Sequence, residues 1–277
     1  MKSFLLLLSL VFASQAFAQS MISLKNGKVL TIDDQGMLQD LGNFFLPYEI
    51  KTFGGRYLVD DKRKVHTIDS SGFMYSKKDE DKVAQNIEVT GDNYFTSKWG
   101  KLYTLDETGV FFENKKDKLF RKIKHKGGIF FISETKRVSA LYAVTNLGAF
   151  LEVEVPGLDL SSVNAVGGQY FTTTQGVLYT VSNDGFVYSK REMGAFKGAQ
   201  LARGGNYFFY NKSLYTVTQS GVVMSAGMAQ DFGKVSVLGT NFFITTANKL
   251  FTVSTSGTVR NMEIEFKASD ISNFSHL

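Results

Sequence analysis

The sequence predicts an all-β fold, a seven-bladed β-propeller with four antiparallel strands per blade. The first observation is a four-residue motif, Leu-Tyr-Thr-Val and its variants, that occurs seven times. Its copies begin at Val29, Val65, Leu102, Leu141, Leu178, Leu214 and Leu250. Successive copies are 36 to 39 residues apart. Such a period indicates an array of one supersecondary unit that buries its apolar faces against its neighbours.

The second observation is that each repeat divides into four strand-sized parts, which we label A to D. In the sixth repeat these are Gln200–Arg203, Asn206–Tyr210, Leu214–Thr218 and Val222–Met224. The parts are rich in aromatic and β-branched residues and are separated by glycine or by Asn, Asp and Ser, which is typical of strands joined by tight turns. We expect glycine at these turns, including the Gly-Gly pairs before strand B, to supply a positive φ.

The third observation concerns the two ends of the array. The first repeat begins at strand B, Met21–Leu24, whereas Ser269–Phe274 reads as a strand A with no strand B after it. A C-terminal strand that completes the N-terminal blade closes a ring and removes exposed sheet edges. An open β-solenoid is the alternative fold, and it leaves this last strand unexplained.

The repeats resemble those of the regulator-of-chromosome-condensation and tectonin propellers. The closest copy runs from Val166-Gly167-Gly168 to Asp184-Gly185-Phe-Val-Tyr188. The resemblance implies a propeller fold, and tectonin-type members are often sugar-binding. Those families have a Trp in or after the Gly-x-Val strand, where this chain has Tyr75, Phe112, Tyr188 or Met224. The resemblance therefore implies fold more than activity.

The first eighteen residues have the pattern of a signal peptide. Lys2 precedes the apolar run Phe4–Phe12, and Ala16-Phe17-Ala18 is a small-x-small cleavage site. We predict cleavage between Ala18 and Gln19, a propeller domain over 19–277, and a periplasmic or secreted location. The run is too short to span a bilayer, and no later stretch is apolar enough for a transmembrane helix.

The composition argues against metal, cofactor and covalent chemistry. There is no cysteine, which excludes disulfides, thiolate ligands and cysteine nucleophiles. The three histidines form no His-x-x-x-His pair, and His66 occupies a motif position at which other repeats have Leu, Tyr or Phe, so we expect it in the core. Carboxylates cluster at the C–D turns, at Asp33-Asp34, Asp69, Asp106-Glu107 and Asp184, and they suit Asx turns better than calcium loops, which need 6–8 oxygen ligands. We predict neither a metal site nor a cofactor.

No catalytic motif stands out, so we predict a protein that is not an enzyme. The chain has no Gly-x-Ser-x-Gly elbow and no Ser-x-x-Lys pair, and no helix follows the Gly-Gly pairs to cradle a phosphate. A hydrolase or lyase with its site at the central channel is the enzymatic alternative.

The basic residues are concentrated in one sector of the array. Residues 54–137 contain 18 Lys and Arg against 13 Asp and Glu, whereas residues 138–277 contain 9 of each. In an A-to-D blade, the B–C turns and the D–A connections emerge on one face, so the charges of adjacent blades add there. The predicted binding residues on this face are Lys62, Arg63, Lys64, Lys98, Trp99, Lys136 and Arg137.

The residue types on this face indicate what kind of partner it would bind. Trp99 is the only tryptophan and lies among cations, as an anchor for a partner would. We predict a monomeric, non-enzymatic binding module for an anionic protein or an anionic envelope polymer. Export argues against nucleic acid as the ligand. A lectin-like glycan binder, with repeated pockets between blades lined by Tyr and Phe, is the alternative. The opposing view is that these lysines only solubilise surface loops, with Asp79-Glu80-Asp81 cancelling much of their charge.

Overall fold

A computed structural model describes residues 20–40, 50–68, 74–76, 86–114, 120–135, 138–197, 200–201, 205–265 and 267–274. Within these residues the chain forms seven four-stranded antiparallel sheets, each ordered A-B-C-D. The fold is therefore the predicted seven-bladed propeller. The predicted signal peptide, 1–18, lies outside the described residues, so its cleavage stays a prediction.

The strands are numbered β1 to β28 along the chain. The A strands are β28 (Ile271–Phe274), β4 (Ile50–Phe53), β8 (Ile87–Thr90), β12 (Ile123–Lys126), β16 (Val163–Val166), β20 (Gln200–Leu201) and β24 (Val235–Leu238). The B strands are β1 (Ser20–Leu24), β5 (Tyr57–Asp60), β9 (Tyr94–Ser97), β13 (Phe130–Thr135), β17 (Tyr170–Thr173), β21 (Tyr207–Tyr210) and β25 (Phe242–Thr245). All four sets of strands, A to D, are given in blade order from blade 1 to blade 7.

The C strands are β2 (Val29–Ile32), β6 (Val65–Ile68), β10 (Leu102–Leu105), β14 (Val138–Val144), β18 (Leu178–Val181), β22 (Ser213–Val217) and β26 (Lys249–Val253). The D strands are β3 (Leu38–Asp40), β7 (Met74–Ser76), β11 (Phe111–Glu113), β15 (Phe150–Val153), β19 (Val187–Ser189), β23 (Val223–Met228) and β27 (Val259–Glu265). A one-turn helix, α1 (Ala229–Phe232), and three short 3-10 helices, Leu160–Ser162, Arg191–Met193 and Ala268–Asp270, lie in connections.

The ring closes as the sequence predicts. Strand β28 pairs antiparallel with β1, with Ile22 opposite Phe274 and Leu24 opposite Ile271. Ser23 and Ser272 hydrogen-bond across the joint, with 2.6 Å between their hydroxyl oxygens. The last strand therefore completes the first blade, and the open solenoid is excluded.

Glycine three residues before the aromatic start of strand B has a role that the sequence does not predict. A Cβ built on Gly54, Gly91, Gly127, Gly167 or Gly239 would lie 2.1–2.3 Å from the ring of the residue three positions later. None of these glycines has a positive φ, so our expectation for these Gly-Gly turns is wrong. The ring lies over the glycine Cα, and any side chain there would displace it. The C–D turns do use positive φ, at Gly36, Gly109, Gly148, Gly185, Gly221 and Gly257.

The aromatic residue that covers this glycine also links neighbouring blades. The Tyr57 hydroxyl donates to the carbonyl of Tyr94 at 3.1 Å, and the Tyr94 hydroxyl donates to the carbonyls of Gly127 and Phe130 at 3.0 and 2.9 Å. Tyr170 and Tyr207 make the equivalent bonds to blades 6 and 7. Blades 4 and 7 have Phe130 and Phe242 at this position, which pack against a ring of the next blade without a hydroxyl.

The threonine of the Leu-Tyr-Thr-Val motif makes a second link between blades. Thr104, Thr180 and Thr252 donate to the carbonyls of Gly148, Gly221 and Gly36, at 2.6, 2.7 and 2.6 Å. Each acceptor is the C–D glycine of the next blade. The motif thus recurs because its side chains join one blade to the next, and strands B and C are buried on both faces by the same packing.

Candidate functional sites

The two ends of the propeller differ in how their turns are held. The A–B turns and C–D turns lie at one end of the blades, here called the A–B end. Their backbones form blade-to-blade hydrogen bonds, for example from the Asp92 N–H to the Gly128 carbonyl and from the Asn183 N–H to the Gln219 carbonyl. The B–C turns and the D–A connections lie at the opposite end, here called the B–C end. The predicted binding residues that the structure describes, Lys62, Arg63, Lys64, Lys98 and Trp99, all belong to the B–C end.

Five B–C turns share one backbone conformation. The third residue of each turn has a positive φ: Gly27, Arg63, Gly100, Gly176 and Asn248. Its N–H donates to the carbonyl of the last strand B residue, as from Arg63 to Asp60 at 2.9 Å and from Gly100 to Ser97 at 2.8 Å. Glycine and asparagine are the residues that adopt this conformation readily. Arg63, with a φ of 65°, is an exception.

Blade 2 therefore holds three cations on a turn whose backbone is under strain. Lys62 and Arg63 are exposed, and Lys64 is half-buried. The carboxylate of Asp60 accepts from the Lys64 N–H at 2.8 Å and lies 3.0 Å from Nε2 of His66. His66 is 3% exposed, so its predicted place in the core is confirmed. The structure adds its buried acidic partner, which the sequence does not indicate.

Blade 3 places the predicted anchor at the tip of its B–C turn. Trp99 is 51% exposed, and the Lys98 ammonium lies 5.0 Å from the centroid of its ring. The start of the next blade packs beside this turn, because the Phe120 N–H donates to the Gly100 carbonyl at 2.7 Å. A Cβ on Gly100 would lie 2.9 Å from Cγ of Arg121, so this exposed arginine adjoins the turn. We call Lys98, Trp99 and Arg121 the tryptophan cluster.

Two predicted binding residues, Lys136 and Arg137, lie outside the described part of the chain. Their contribution to the B–C end stays a prediction. Arg121 is a residue that the prediction missed. It belongs to a D–A connection, which returns to the B–C end beside the turn of the preceding blade, and only this topology shows that it adjoins Gly100, the residue after Trp99.

A second basic region lies where the sequence shows no excess of charge. An open groove of about 710 Å³ between blades 6 and 7 is lined by Lys197, Lys212 and Lys234, together with Phe209 and Tyr210. The three lysines come from segments far apart in the sequence, and all are exposed. The basic character of the B–C end therefore extends beyond blades 2 to 4.

Clefts between blades open at the A–B end. Phe112 is half exposed beside Gly148 of blade 4, and Tyr188 is half exposed beside Gly221 of blade 6. These positions correspond to the Trp of the families that the repeats resemble. The cleft between blades 3 and 4 has a volume of about 630 Å³ and is lined by Thr104, Phe112, Glu113, Asn114, Leu147, Gly148, Ala149 and Phe150.

A small polar cavity lies where blades 2 to 7 converge at the A–B end. We call it the central cavity. Its volume is about 40 Å³. The residue after the A–B turn contributes one side chain from each blade: Arg56, Asn93, Ile129, Gln169, Asn206 and Asn241. This residue is the variable position of the Gly-Gly-x-aromatic motif, and nothing in the sequence pattern predicts a role for it. Asn146, Asn183 and Thr240 also line the cavity.

One charged pair dominates the electrostatics of the central cavity. Burial lowers the pKa of Arg56, and the carboxylates of Asp92, Glu107 and Asp106 oppose this effect. Burial raises the pKa of Asp92 to about 7, and the positive charge of Arg56 opposes that shift. A guanidinium hydrogen of Arg56 is donated to Oδ1 of Asn146, two blades away, at 3.1 Å. The pair therefore joins blades 2, 3 and 4.

The acidic residues at the start of the C–D turns act as turn caps. Oδ1 of Asp33 accepts from the Met37 N–H at 2.7 Å, and Oδ1 of Asp106 accepts from the Val110 N–H at 2.9 Å. Thr145, Ser182, Thr218 and Ser254 do the same with their hydroxyls. Asx-turn chemistry thus explains Asp33 and Asp106, whereas Asp69 lies outside the described residues. Over the part of the chain that can be described, no three His, Asp or Glu side chains cluster as metal ligands, and no helix is long and apolar enough to cross a membrane.

The chain matches no family model and no curated protein. It is similar to a streptogramin B lyase structure at 15% identity, over 93% of this chain and 85% of that one, with a TM-score of 0.34. PorZ, a surface component of the type-IX secretion system of Porphyromonas gingivalis, matches at 11% identity over 91% of this chain and 39% of its own, with a TM-score of 0.39. BamB from Moraxella catarrhalis matches at 11% identity over 87% and 80%, with a TM-score of 0.25.

At these scores the matches carry no argument about ligand or activity. The propeller assignment rests on the strand pairing of this chain. The resemblance of the repeats to regulator-of-chromosome-condensation and tectonin propellers extends to the fold alone, because no family model supports membership.

Proposed function

We propose that this protein is a non-enzymatic binding scaffold that holds an anionic protein or envelope polymer on its B–C end. The tryptophan cluster is the observation that carries the proposal, because an exposed indole with Lys98 over its ring and Arg121 beside the same turn offers both apolar area and charge to a partner. Blade 2 supports it with Lys62 and Arg63 on the adjacent B–C turn.

The backbone conformation of Arg63 also supports a binding role for the B–C end. An L-residue with a side chain is strained by about 1–2 kcal/mol in the left-handed region, which glycine and asparagine occupy in four equivalent turns. An arginine kept at such a position suggests that its charge serves a purpose other than stability. The groove lined by Lys197, Lys212 and Lys234 extends the positive surface, so a long anionic chain could follow the B–C end across several blades.

The proposed non-enzymatic role is supported by the size of the central cavity. A hydrolase or lyase alternative places its site at the channel, and ligand pockets usually have about 300–1,000 Å³. The central cavity, at about 40 Å³, is far smaller. A monomeric state and an extracytoplasmic location belong to the same proposal and rest on the sequence alone.

The test is retention on two immobilised anionic chains, poly-L-glutamate and dextran sulfate, in 50 and 500 mM NaCl. We expect binding that weakens at high salt because screening shortens the range of the charges. The triple variant Lys62→Glu, Lys98→Glu, Arg121→Glu should lose at least tenfold in affinity with an unchanged melting temperature. The control, Lys51→Glu, Lys126→Glu, Arg260→Glu, makes the same charge change on exposed cations of strands β4, β12 and β27, outside the B–C turns and the D–A connections, and should lose much less. Equal losses in both variants would show that net charge alone acts and would remove the proposed site.

A glycan is the second candidate, favoured by the clefts between blades at the A–B end. Half-exposed Phe112 and Tyr188 offer ring faces to a sugar, and Glu113 and Asn114 add polar groups to the cleft between blades 3 and 4. Binding to neutral dextran or to a neutral glycan array, lost in Phe112→Ala and insensitive to salt, would support this candidate. An array without hits on folded protein would end it.

A further inference from the structure

The groove between blades 6 and 7 collects three lysines that the chain supplies from three separate segments. Lys197 and Lys234 belong to the D–A connections that lead into β20 and β24, and Lys212 belongs to the B–C turn between β21 and β22. All three are exposed, and none forms an ion pair among the described residues. The acids of the same two connections, Glu192 and Asp231, are not part of the lining. The described lining therefore carries three positive charges and no negative one.

The B–C turn of blade 6 holds Lys212 in a backbone conformation that favours glycine. Tyr210 pairs with Ser213, so Asn211 and Lys212 form a two-residue turn, and both have a positive φ, 46° and 62°. Such turns prefer Asn followed by Gly, because a residue without a Cβ adopts a positive φ without steric cost. The backbone disfavours a lysine at the glycine position, so its presence there points to a role for the side chain.

Lys197 and Tyr210 are positioned by the D–A connection before blade 6. A Cβ built on Gly176, in the B–C turn of blade 5, would lie 2.7 Å from Cγ of Lys197, so the lysine stem packs against that bare glycine. The Tyr210 hydroxyl donates to the Ala195 carbonyl at 2.7 Å, which fixes the direction of its ring. Both side chains therefore have a defined position in the groove before any ligand binds.

The lining of the groove indicates the ligand by charge and by size. Besides the lysines, Phe209, Tyr210 and Leu238 line the groove and supply apolar surface. A carboxylate has a single negative charge, whereas a phosphomonoester has a charge of about −1.5 to −2 near pH 7 and three strong acceptor oxygens, which suit several ammonium groups better. The volume of about 710 Å³ lies within the usual range for ligand pockets, so it leaves room beyond a phosphate for an organic group.

We propose that the groove between blades 6 and 7 binds a small phosphomonoester, with its phosphate bound by the three lysines and its organic group against the apolar surface. Because a lysine ammonium is carried on a flexible aliphatic stem, cations from separate segments can approach one phosphate. The site is separate from the tryptophan cluster, which lies between blades 3 and 4, and it takes a small ligand rather than the polymer proposed for the B–C end. Loss of one site should therefore leave the other working.

The test is titration calorimetry of the whole protein with phenyl phosphate, phenyl sulfate and inorganic phosphate at pH 7.5. Phenyl sulfate has the same ring but a single negative charge, so we expect it to bind about tenfold more weakly than phenyl phosphate. Inorganic phosphate lacks the ring and should also bind more weakly. A phenyl phosphate affinity no higher than that of either other probe would overturn the proposal. Binding to phosphatidic acid in vesicles but not to phenyl phosphate in solution would assign the groove to a lipid headgroup and would also overturn it.

Two double variants locate the binding. Lys212→Gly removes a charge and gives the turn its preferred Asn-Gly sequence, so it should fold without loss of stability. Combined with Lys234→Gln, it should lower the affinity for phenyl phosphate about tenfold. The control, Lys98→Gln with Arg121→Gln, removes the same charge from the tryptophan cluster and should change this affinity by less than about twofold. Equal losses in the two double variants would show that net charge alone acts and would overturn the proposed site.

Discussion

The turns at the A–B end and the turns at the B–C end serve opposite purposes. At the A–B end, successive turns bond to one another through backbone amides, tyrosine hydroxyls and threonine hydroxyls, and their polar side chains converge on the central cavity. At the B–C end, the turns project exposed cations and Trp99. The difference indicates that, among the described residues, the hydrogen bonds between blades are concentrated at the A–B end.

The largest expected change in unfolding free energy comes from adding one methyl group at the A–B end. A Cβ at position 91 would lie 2.1 Å from Cε1 of Tyr94, so Gly91→Ala must expel a fully buried ring. We expect a loss of about 3–5 kcal/mol in unfolding free energy, measured by urea denaturation. Gly27→Ala, at a B–C turn with open space around it, should cost only about 1 kcal/mol. Equal losses would mean that the ring does not require the glycine.

The second largest expected change in unfolding free energy depends on pH and comes from Asp92. The pKa of its carboxyl is raised to about 7 in the folded protein, against about 3.9 when unfolded. The folded state therefore holds the proton more tightly, and this contribution to stability is complete below pH 4 and is lost as the pH rises through 7. Each pKa unit is worth about 1.4 kcal/mol, so the full shift corresponds to at most about 4 kcal/mol.

Asp92→Asn should remove this dependence. Because part of the carboxyl surface stays accessible and Arg56 loses one counter-charge, we expect a gain of about 2 kcal/mol at pH 8 and almost none at pH 4. Urea denaturation at both pH values measures it. A variant that is less stable than the parent at pH 8 would show that the Arg56 pair outweighs burial.

A smaller effect is expected from the links between blades. Tyr94→Phe removes a hydroxyl that donates to two carbonyls of blade 4, which should cost about 1–1.5 kcal/mol. Tyr188→Phe, on an exposed D strand, should change stability by less than about 0.5 kcal/mol. Thermal unfolding of both variants separates a link between blades from a general effect of removing a hydroxyl. Equal small losses would contradict the proposed role of the hydroxyl.

The smallest expected change in unfolding free energy is a gain, and it comes from a residue of the B–C end, Arg63. Arg63→Gly relieves left-handed strain but adds freedom to the unfolded chain, so the net gain should be about 0.5–1 kcal/mol. Arg63→Ala keeps the strain and should not gain. Both variants lose the same charge, so both should bind poly-L-glutamate more weakly by the same factor. If binding is unaffected while stability rises, Arg63 is not part of the binding surface.

The sequence predicts the architecture well because the repeat is local. The spacing of the Leu-Tyr-Thr-Val copies indicates the blades, and the unpaired strand near Ile271 indicates the closure. The exposed position of Trp99 and the buried position of His66 also follow from comparing one repeat with another. Each of these features can be inferred from the residues of a single blade or from the number of repeats in the chain.

What the sequence does not predict arises only when the ring closes. The variable residue of the Gly-Gly-x-aromatic motif is unremarkable in each repeat, yet Asn93, Asn206 and Asn241 line one cavity because seven blades share an axis. The lysines of the groove between blades 6 and 7 lie in segments with balanced charge. The sequence suggests that the glycines before strand B supply a positive φ, whereas in the structure they are required because an aromatic ring packs over a bare Cα.

The closure of the ring also decides how the molecule would be presented on a surface. Strand β1 enters at Ser20, and strand β28 leaves at Phe274, which pairs with Ile22. Since the strands run antiparallel, both connections to any further chain leave from the A–B end. A tether at either terminus would therefore orient Trp99 and the lysines outward, toward the surrounding medium and away from the point of attachment.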